Sequence, residues 1–158
     1  MLTVARLEHL GPQGHELPLG SHLVTPRRGY LHHGIYVGDG RVVHYAGLAG
    51  ALQRGPVEEV PLNRFTRGRP VWVKSHALSP FESREVIQRA RSRVGEDCYR
   101  LLTNNCEHFC EWCLRGEPRS YQVEALLARL RVLYPIFAQS ASVLGRLGLR
   151  PTRAATNA

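Results

Sequence analysis

Lysine is all but missing from this chain of 158 residues: Lys74 stands alone, and arginine supplies the rest of the 21 basic side chains. Arginine's planar fork suits phosphate and carboxylate oxygens. A net charge of +8 therefore makes anionic membrane surfaces, phospholipid headgroups and nucleic acid the partners to weigh. Arginine-biased coding would give the same composition with no binding meaning. The chain lacks any stretch of ~18 uninterrupted apolar residues, so no bilayer-spanning helix is expected. No leader is expected: Met1–Leu10 contains Arg6, Glu8 and His9, where a signal peptide needs an apolar core of roughly 7–15 residues. Cysteine is scarce and crowded, at positions 98, 106, 110 and 113. A secreted disulfide scaffold would spread its cysteines to tie distant segments together. A cytoplasmic protein is expected, and arginine bias without targeting suggests a bacterial source. No nucleic-acid reading motif interleaves aromatics with arginine, so nucleic acid is not an expected partner.

The length suits one core, and 43% apolar with 22% charged residues are ordinary globular values. Residues 1–20 carry Gly11, Pro12, Gly14, Pro18 and Gly20 and read as an irregular opening segment. Ser21–Pro26 predicts a short strand. Leu31–Val37 and Arg41–Ala46, separated by Gly38-Asp39-Gly40, predict a hairpin. Val57–Pro61 and Val71–Ser75 are further strand candidates, joined by a basic loop around Arg64–Arg69. Then the pattern changes. Ser79 as N-cap, Pro80 at the first helical position and Glu82 three residues on predict a helix to about Val94, stopped by Gly95. A second helix is predicted from near Asn105 to just before Gly116, and a third over Tyr121–Tyr134. Pro135 should halt the third, with a further helical piece to Leu149. Strands first and helices later argue for an α+β fold, a small antiparallel sheet packed against C-terminal helices. The expected organisation is an irregular segment 1–20, a catalytic domain 21–120 and a helical extension 121–158.

Chemistry concentrates at Asn104-Asn105-Cys106-Glu107-His108-Phe109. Asn105 is a good N-cap, which puts Cys106 in the first turn of a helix. Unpaired N–H groups and the helix dipole there favour a thiolate, and could also hold the oxyanion of a tetrahedral intermediate. Cys110 and Cys113 follow at i+4 and i+7 beside Phe109, an inward stripe that reads as core. Zinc on Cys110-x-x-Cys113 is the competing reading, disfavoured because such a pair belongs on a turn and needs a second pair elsewhere. No metal or other cofactor is expected.

A nucleophilic thiol needs an imidazole base, better with a third group to orient it. A two-residue Asp39-Gly40 turn would put His33 and His44 on one face. A three-residue loop with a bulge at Gly40 would make His32 the diagonal neighbour of His44, with Tyr36 on that face. Glycine on both sides of Asp39 favours the bulged form.

These residues carry a resemblance. His32-His33-Gly34-Ile35-Tyr36-Val37-Gly38-Asp39-Gly40-Arg41-Val42-Val43-His44, followed by Asn105-Cys106-Glu107-His108-Phe109, resembles the lecithin:retinol acyltransferase-like family, related to permuted NlpC-type, papain-like thiol peptidases. The family pattern has a histidine, an I-Y-[VL]-G run, a second histidine twelve residues on, and N-C-E-H-F. It maps onto His32, His44 and Cys106 and covers roughly residues 20–116. The resemblance implies a circularly permuted papain-like fold and a thioester on Cys106. His32 would be the base and His44 its orienter, with Tyr36 and Asn105 as supporting residues and Glu107 and His108 structural. It implies an acyltransferase or hydrolase on phospholipid or other acyl esters. An amidase or peptidase on peptide-like substrates and a non-catalytic binding module are the alternatives. Vertebrate members carry a C-terminal membrane anchor, whereas Val132–Leu149 is broken by Pro135, Gln139, Ser140, Ser142 and Arg146. That segment, with Arg129, Arg131 and Arg150 nearby, either lies on an anionic membrane surface or packs on the domain.

Overall fold

A computed structural model describes residues 7–9, 17–48, 54–76 and 79–146. Its first compact unit, Met1–Gln122, holds the sheet and the site; Val123–Ala158 forms a second unit. The strands are β1 (Leu7–His9), β2 (His22–Arg27), β3 (Tyr30–Gly38), β4 (Arg41–Leu48), β5 (Arg54–Pro61) and β6 (Trp72–Lys74). They form one antiparallel sheet in the order β1-β6-β2-β3-β4-β5. The helices are α1 (Leu62–Thr66), α2 (Ser83–Ser92), α3 (Cys106–Arg115) and α4 (Tyr121–Arg146). The fold is α+β, as the order of patterns predicted.

Alternation along the strands sorts the core into two layers. Ile35, Val37, Val43, Tyr45 and Val57 meet Val86 and Ala90 of α2 and Phe109, Cys110 and Cys113 of α3. On the opposite face Leu23, Val42 and Val60 are covered by Phe65 of α1. Gly34 makes that second layer possible. A Cβ there would lie 2.5 Å from Val42 Cγ1 and 2.9 Å from the Phe65 ring, so no larger residue lets the ring reach the strand. Phe65 then packs against His32 and His44, with ring centroids 5.3 and 5.4 Å away.

The hairpin settles the parity question by a mixture of both forms. Asp39 and Gly40 have φ of 49° and 64°, a tight two-residue turn closing Gly38 against Arg41. A register shift between Tyr36 and Gly38 then restores the pairing of Tyr36 with Val42 and Ile35 with Val43. The bulge expected at Gly40 lies instead within the strand, where it gives the same histidine register.

Other boundaries differ from expectation. A strand, β1, interrupts the irregular segment 1–20; residues 1–6 and 10–16 lie outside the described ones. The basic loop contains α1, ended by Arg67 in the left-handed region at φ 53°. Ser79 does not cap α2. Its hydroxyl turns to the Leu114 carbonyl, 2.7 Å away at the end of α3, and Glu82 takes the N-cap position with no side-chain cap. The Phe81 ring explains the delayed start, since it lies beneath the Arg89 guanidinium at 4.3 Å and beside Gly116. Pro135 does not halt α4, which runs unbroken to Arg146. A mid-helix proline costs about 3 kcal/mol, and the strong helix formers of Glu124–Arg131 can outweigh it. The expected continuation to Leu149 and the tail lie outside the described residues. Among the described residues no helix is long and apolar enough to cross a membrane.

Candidate active site

Asn105 opens α3 as its sequence predicted. Its Oδ1 accepts the N–H of Glu107 at 2.9 Å and of His108 at 3.1 Å, and His108 Nδ1 accepts the Asn105 N–H at 3.3 Å, closing a capping box. Asn105 Nδ2 donates to the Leu101 carbonyl at 2.8 Å, so the cap is itself held. Cys106 therefore occupies the first helical turn with 3% of its surface exposed.

The expected resting thiolate is overturned. Burial pushes the Cys106 thiol up to about 11. The main-chain N–H groups of His33, Glu107 and Cys106 that bond the sulfur pull the other way and lose, helped to lose by the Glu107 carboxylate. Helix-dipole reasoning underweighted desolvation, which acts on the whole charge. The sulfur is thus held as a protonated thiol at neutral pH. Cys110 and Cys113 are fully buried and also raised by burial, and Cys98 is exposed.

His32 and His44 come together as the spacing required. His32 Nε2 lies 2.9 Å from His44 Nδ1, the rings meeting edge-on at 88°. Burial holds His32 well below the usual imidazole range and His44 at about 4, so both rings are neutral. His44 Nε2 lies 3.4 Å from Glu58 Oε1, its cross-strand neighbour on β5. This pair borders a cleft of about 100 Å³ whose wall includes Arg27, Tyr30, Arg64 and Arg67. Tyr36, a candidate supporting residue, belongs to this face, but its hydroxyl accepts the Gly40 N–H at 3.1 Å and so pins the turn.

The imidazole pair packs with Phe65 on one face of the sheet, and Cys106 of α3 belongs to the core on the other. The β3–β4 ladder stops at Ile35 and Val43. Beyond it, the His33 N–H is free to bond the Cys106 sulfur instead of a strand. The sulfur is thereby held at the residue next to His32.

Sequence reasoning missed a second polar cluster on the α3 face. His33 is fully buried there with His22, which it meets at 2.7 Å (Nδ1 to Nε2). His22 Nδ1 lies 2.8 Å from His76 Nε2. Lys74 reaches Glu107 and Glu111 at 3.2 and 3.0 Å, while Ser120 and Gln122 hold the other Glu107 oxygen. Glu107 and His108 are accordingly buried. Glu58, His22, His76 and Gln122 left no local signal, because each depends on a strand register or a long-range contact. Among the described residues His22, His76 and Glu111 form the trio with ligand atoms close enough for a metal, within 4.8 Å. Cys110 and Cys113 belong to no such group.

Residues 15–119 match the family model described as lecithin retinol acyltransferase. The chain is 32% identical over 151 residues to phospholipase A and acyltransferase 2 of Homo sapiens, covering 85% of this chain and 93% of that one. It is 30% identical over 141 residues to lecithin retinol acyltransferase of Bos taurus, covering 72% of this chain and 61% of the other. Phospholipase A and acyltransferase 3 of Mus musculus is 33% identical over 110 residues, 60% of this chain and 68% of that one.

Proposed function

The chain belongs to the lecithin retinol acyltransferase family, and from that membership we propose that it is a thiol enzyme transferring or hydrolysing acyl groups of phospholipids. Cys106 is the nucleophile, His32 its base and His44 the orienter of His32. The observation that carries this reading is the contact of His32 Nε2 with His44 Nδ1 at 2.9 Å, one residue from the amide that holds the sulfur.

Proton positions follow from the surroundings. The Glu58 carboxylate accepts the His44 Nε2–H, which leaves His44 Nδ1 a lone pair to accept the His32 Nε2–H. His32 Nδ1 is then the free lone pair of a neutral imidazole. It takes the thiol proton as the sulfur attacks the ester carbonyl, and the first-turn amides of α3 hold the oxyanion. Collapse breaks the ester C–O bond, and His32 returns the proton to the departing lysophospholipid oxygen, leaving a thioester. Water or an acyl acceptor gives its proton to His32, attacks the thioester, and releases the acyl product and the reprotonated thiol. Because the thiol rests protonated, the ion pair forms only in the transition state.

Arg27, Arg64 and Arg67 beside the cleft suit a phosphate headgroup. The second unit bears exposed Leu126, Leu127, Leu130, Val132, Leu133 and Tyr134 together with Arg129 and Arg131, which suits peripheral contact with an anionic membrane. Its side chains from Pro135 onward, including Arg146, lie outside the described residues, as does Arg150. A peripheral cytoplasmic location fits this reading.

Intact-mass measurement during incubation with short-chain phosphatidylcholine tests the proposal. An acyl-sized increment should appear on wild-type protein, with lysophosphatidylcholine or free fatty acid in solution, and be absent from Cys106→Ala. A folded wild-type protein that leaves the lipid intact and instead acquires an acyl group from a peptide substrate would replace this reading with an amidase.

A further inference from the structure

Three histidines on the α3 face, His22 and His33 buried and His76 half-buried, take no part in the chemistry above, and their surroundings fix where each proton sits. Gln122 is held by the main chain of Leu31 on both sides of its amide: Oε1 accepts the Leu31 N–H at 2.9 Å, and Nε2 donates to the Leu31 carbonyl at 3.1 Å. Turning the amide over would break both bonds at once, so Nε2 is a donor. It lies 2.9 Å from His33 Nε2, which must therefore accept. A neutral His33 with Nε2 as acceptor carries its proton on Nδ1 and donates it to His22 Nε2 at 2.7 Å. By the same step His22 is protonated on Nδ1 and donates to His76 Nε2 at 2.8 Å. His76 then carries its proton on Nδ1, which points toward Glu111 Oε1 at 4.0 Å. One orientation of one amide sets all three rings.

The chain ends where it matters for the nucleophile. β3 has lost its ladder to β4 below Ile35, so around His33 it is paired only with β2. On the unpaired side the His33 N–H is the main-chain donor that most favours the charged Cys106 sulfur, while the His33 ring is tied at both nitrogens. We propose that His33 is a positioning residue for Cys106, its main-chain N–H held on the sulfur by the directed chain Gln122→His33→His22→His76. The link to catalysis rests on Cys106 being the nucleophile; the proton order does not.

The same geometry disfavours a metal on the His22, His76 and Glu111 trio. A metal on His22 Nδ1 would displace the proton that passes to His76 and leave His22, already accepting at Nε2, an anion. Lys74 and Arg115 also occupy Glu111, at 3.0 and 3.3 Å.

Long-range ¹H–¹⁵N spectra of the imidazoles at neutral pH test the chain in the whole protein. His22, His33 and His76 should all carry Nδ1–H, and Nε2–H on His33 or His22 would overturn the proposal. Gln122→Glu replaces the donor by an acceptor and should move the His33 and His22 protons to Nε2. Gln122→Met removes the anchor with little change in volume. There kcat for phosphatidylcholine should fall about tenfold with KM within about twofold, and alkylation of Cys106 by iodoacetamide should change by a similar factor. Unchanged kcat and alkylation, with the His33 signal altered, would remove the positioning role. Zinc that raises the melting temperature and abolishes the His22 Nδ1–H signal would put a metal site in place of the chain. If Cys106→Ala kept full lipid activity, the nucleophile would be wrong, yet the proton order would still stand on its own spectra.

Discussion

His32 and His33 are adjacent in sequence and serve opposite faces of one sheet. His32 joins His44 and the Glu58 carboxylate beside a cleft edged with arginine, and only its Nε2 is engaged by the neighbouring ring. His33 joins His22 and His76 in a cluster where both of its ring nitrogens are bonded. Both groups are buried and held neutral, so burial alone does not mark a catalytic imidazole. The comparison also explains why a run of strand histidines is ambiguous: alternation sends neighbours to different environments, and only the register says which.

The sharpest break between the faces is in rate. Cys106→Ala and His32→Gln should each lower kcat at least ~10³-fold, because one removes the bond-forming atom and the other the proton acceptor. Equal losses from His76→Gln and His32→Gln in lipid turnover would erase the distinction between the groups. The largest effect on stability belongs to the α3 face. Burial works to lower the Lys74 ammonium, but the Glu107 and Glu111 carboxylates overcome it and hold it above its usual range. Lys74→Met would leave buried Glu107 without its ammonium and Glu111 with the half-exposed Arg115 alone, at a cost of about 3–5 kcal/mol in urea unfolding. A loss below ~1 kcal/mol would mean that the carboxylates are satisfied without it.

Acid should weaken both faces together. His33 and His44 sit at about 4 in the fold, against an ordinary 6.5, while His22 and His32 lie well below. Above pH ~6.5 neither the folded nor the unfolded state binds these protons, and stability is full. As pH falls below 6.5 the unfolded chain takes them up first, so stability drops until the folded rings titrate near 4. Each ring with a printed value contributes on the order of 3 kcal/mol across that window. Glu96, held at about 2 chiefly by its bonds to Arg93, acts only below pH ~4.5 and so separates from the histidines. A urea midpoint constant from pH 7 to 5 would contradict the buried neutral rings.

Local grammar made much of this protein legible. Alternation found β2 to β6, Asn105 marked the start of α3, and the spacing of His32, His44 and Cys106 named the residues now proposed as the site. What escaped has a common physical character. The neutral thiol depends on how much apolar surface closes over Cys106, which the N-cap alone does not report. The packing of the short helix carrying Phe65 depends on Gly34 leaving room beneath a ring 31 residues away, and the bulge inside β3 shows only in the strand register. Pro135 was read as a stop because its local cost is plain, whereas the compensating propensity is spread over the flanking turns.

The finest cut between the two faces lies at Glu58. On the α3 face proton order is imposed by a main-chain anchor; on the other the Tyr45 main chain and this one carboxylate, 3.4 Å from His44 Nε2 and about a third exposed, both act on the ring. Glu58→Gln keeps the shape and an acceptor oxygen, but also allows the amide to turn and donate. His44 would then be free to protonate Nδ1 and give that proton to His32 Nε2, leaving His32 with Nδ1–H aimed where its lone pair is needed. Only the fraction of molecules in the productive tautomer would turn over, so kcat should fall roughly 10-fold, about 1.4 kcal/mol, with KM unchanged. Because Arg64 also reaches Glu58, at 3.5 Å on an exposed edge, Arg64→Gln serves as the control for lost charge: it should lower kcat less than twofold, its effect on the headgroup falling on KM. If the two substitutions lower kcat equally, Glu58 acts as surface charge and the proton order of the His32–His44 pair is set by something else.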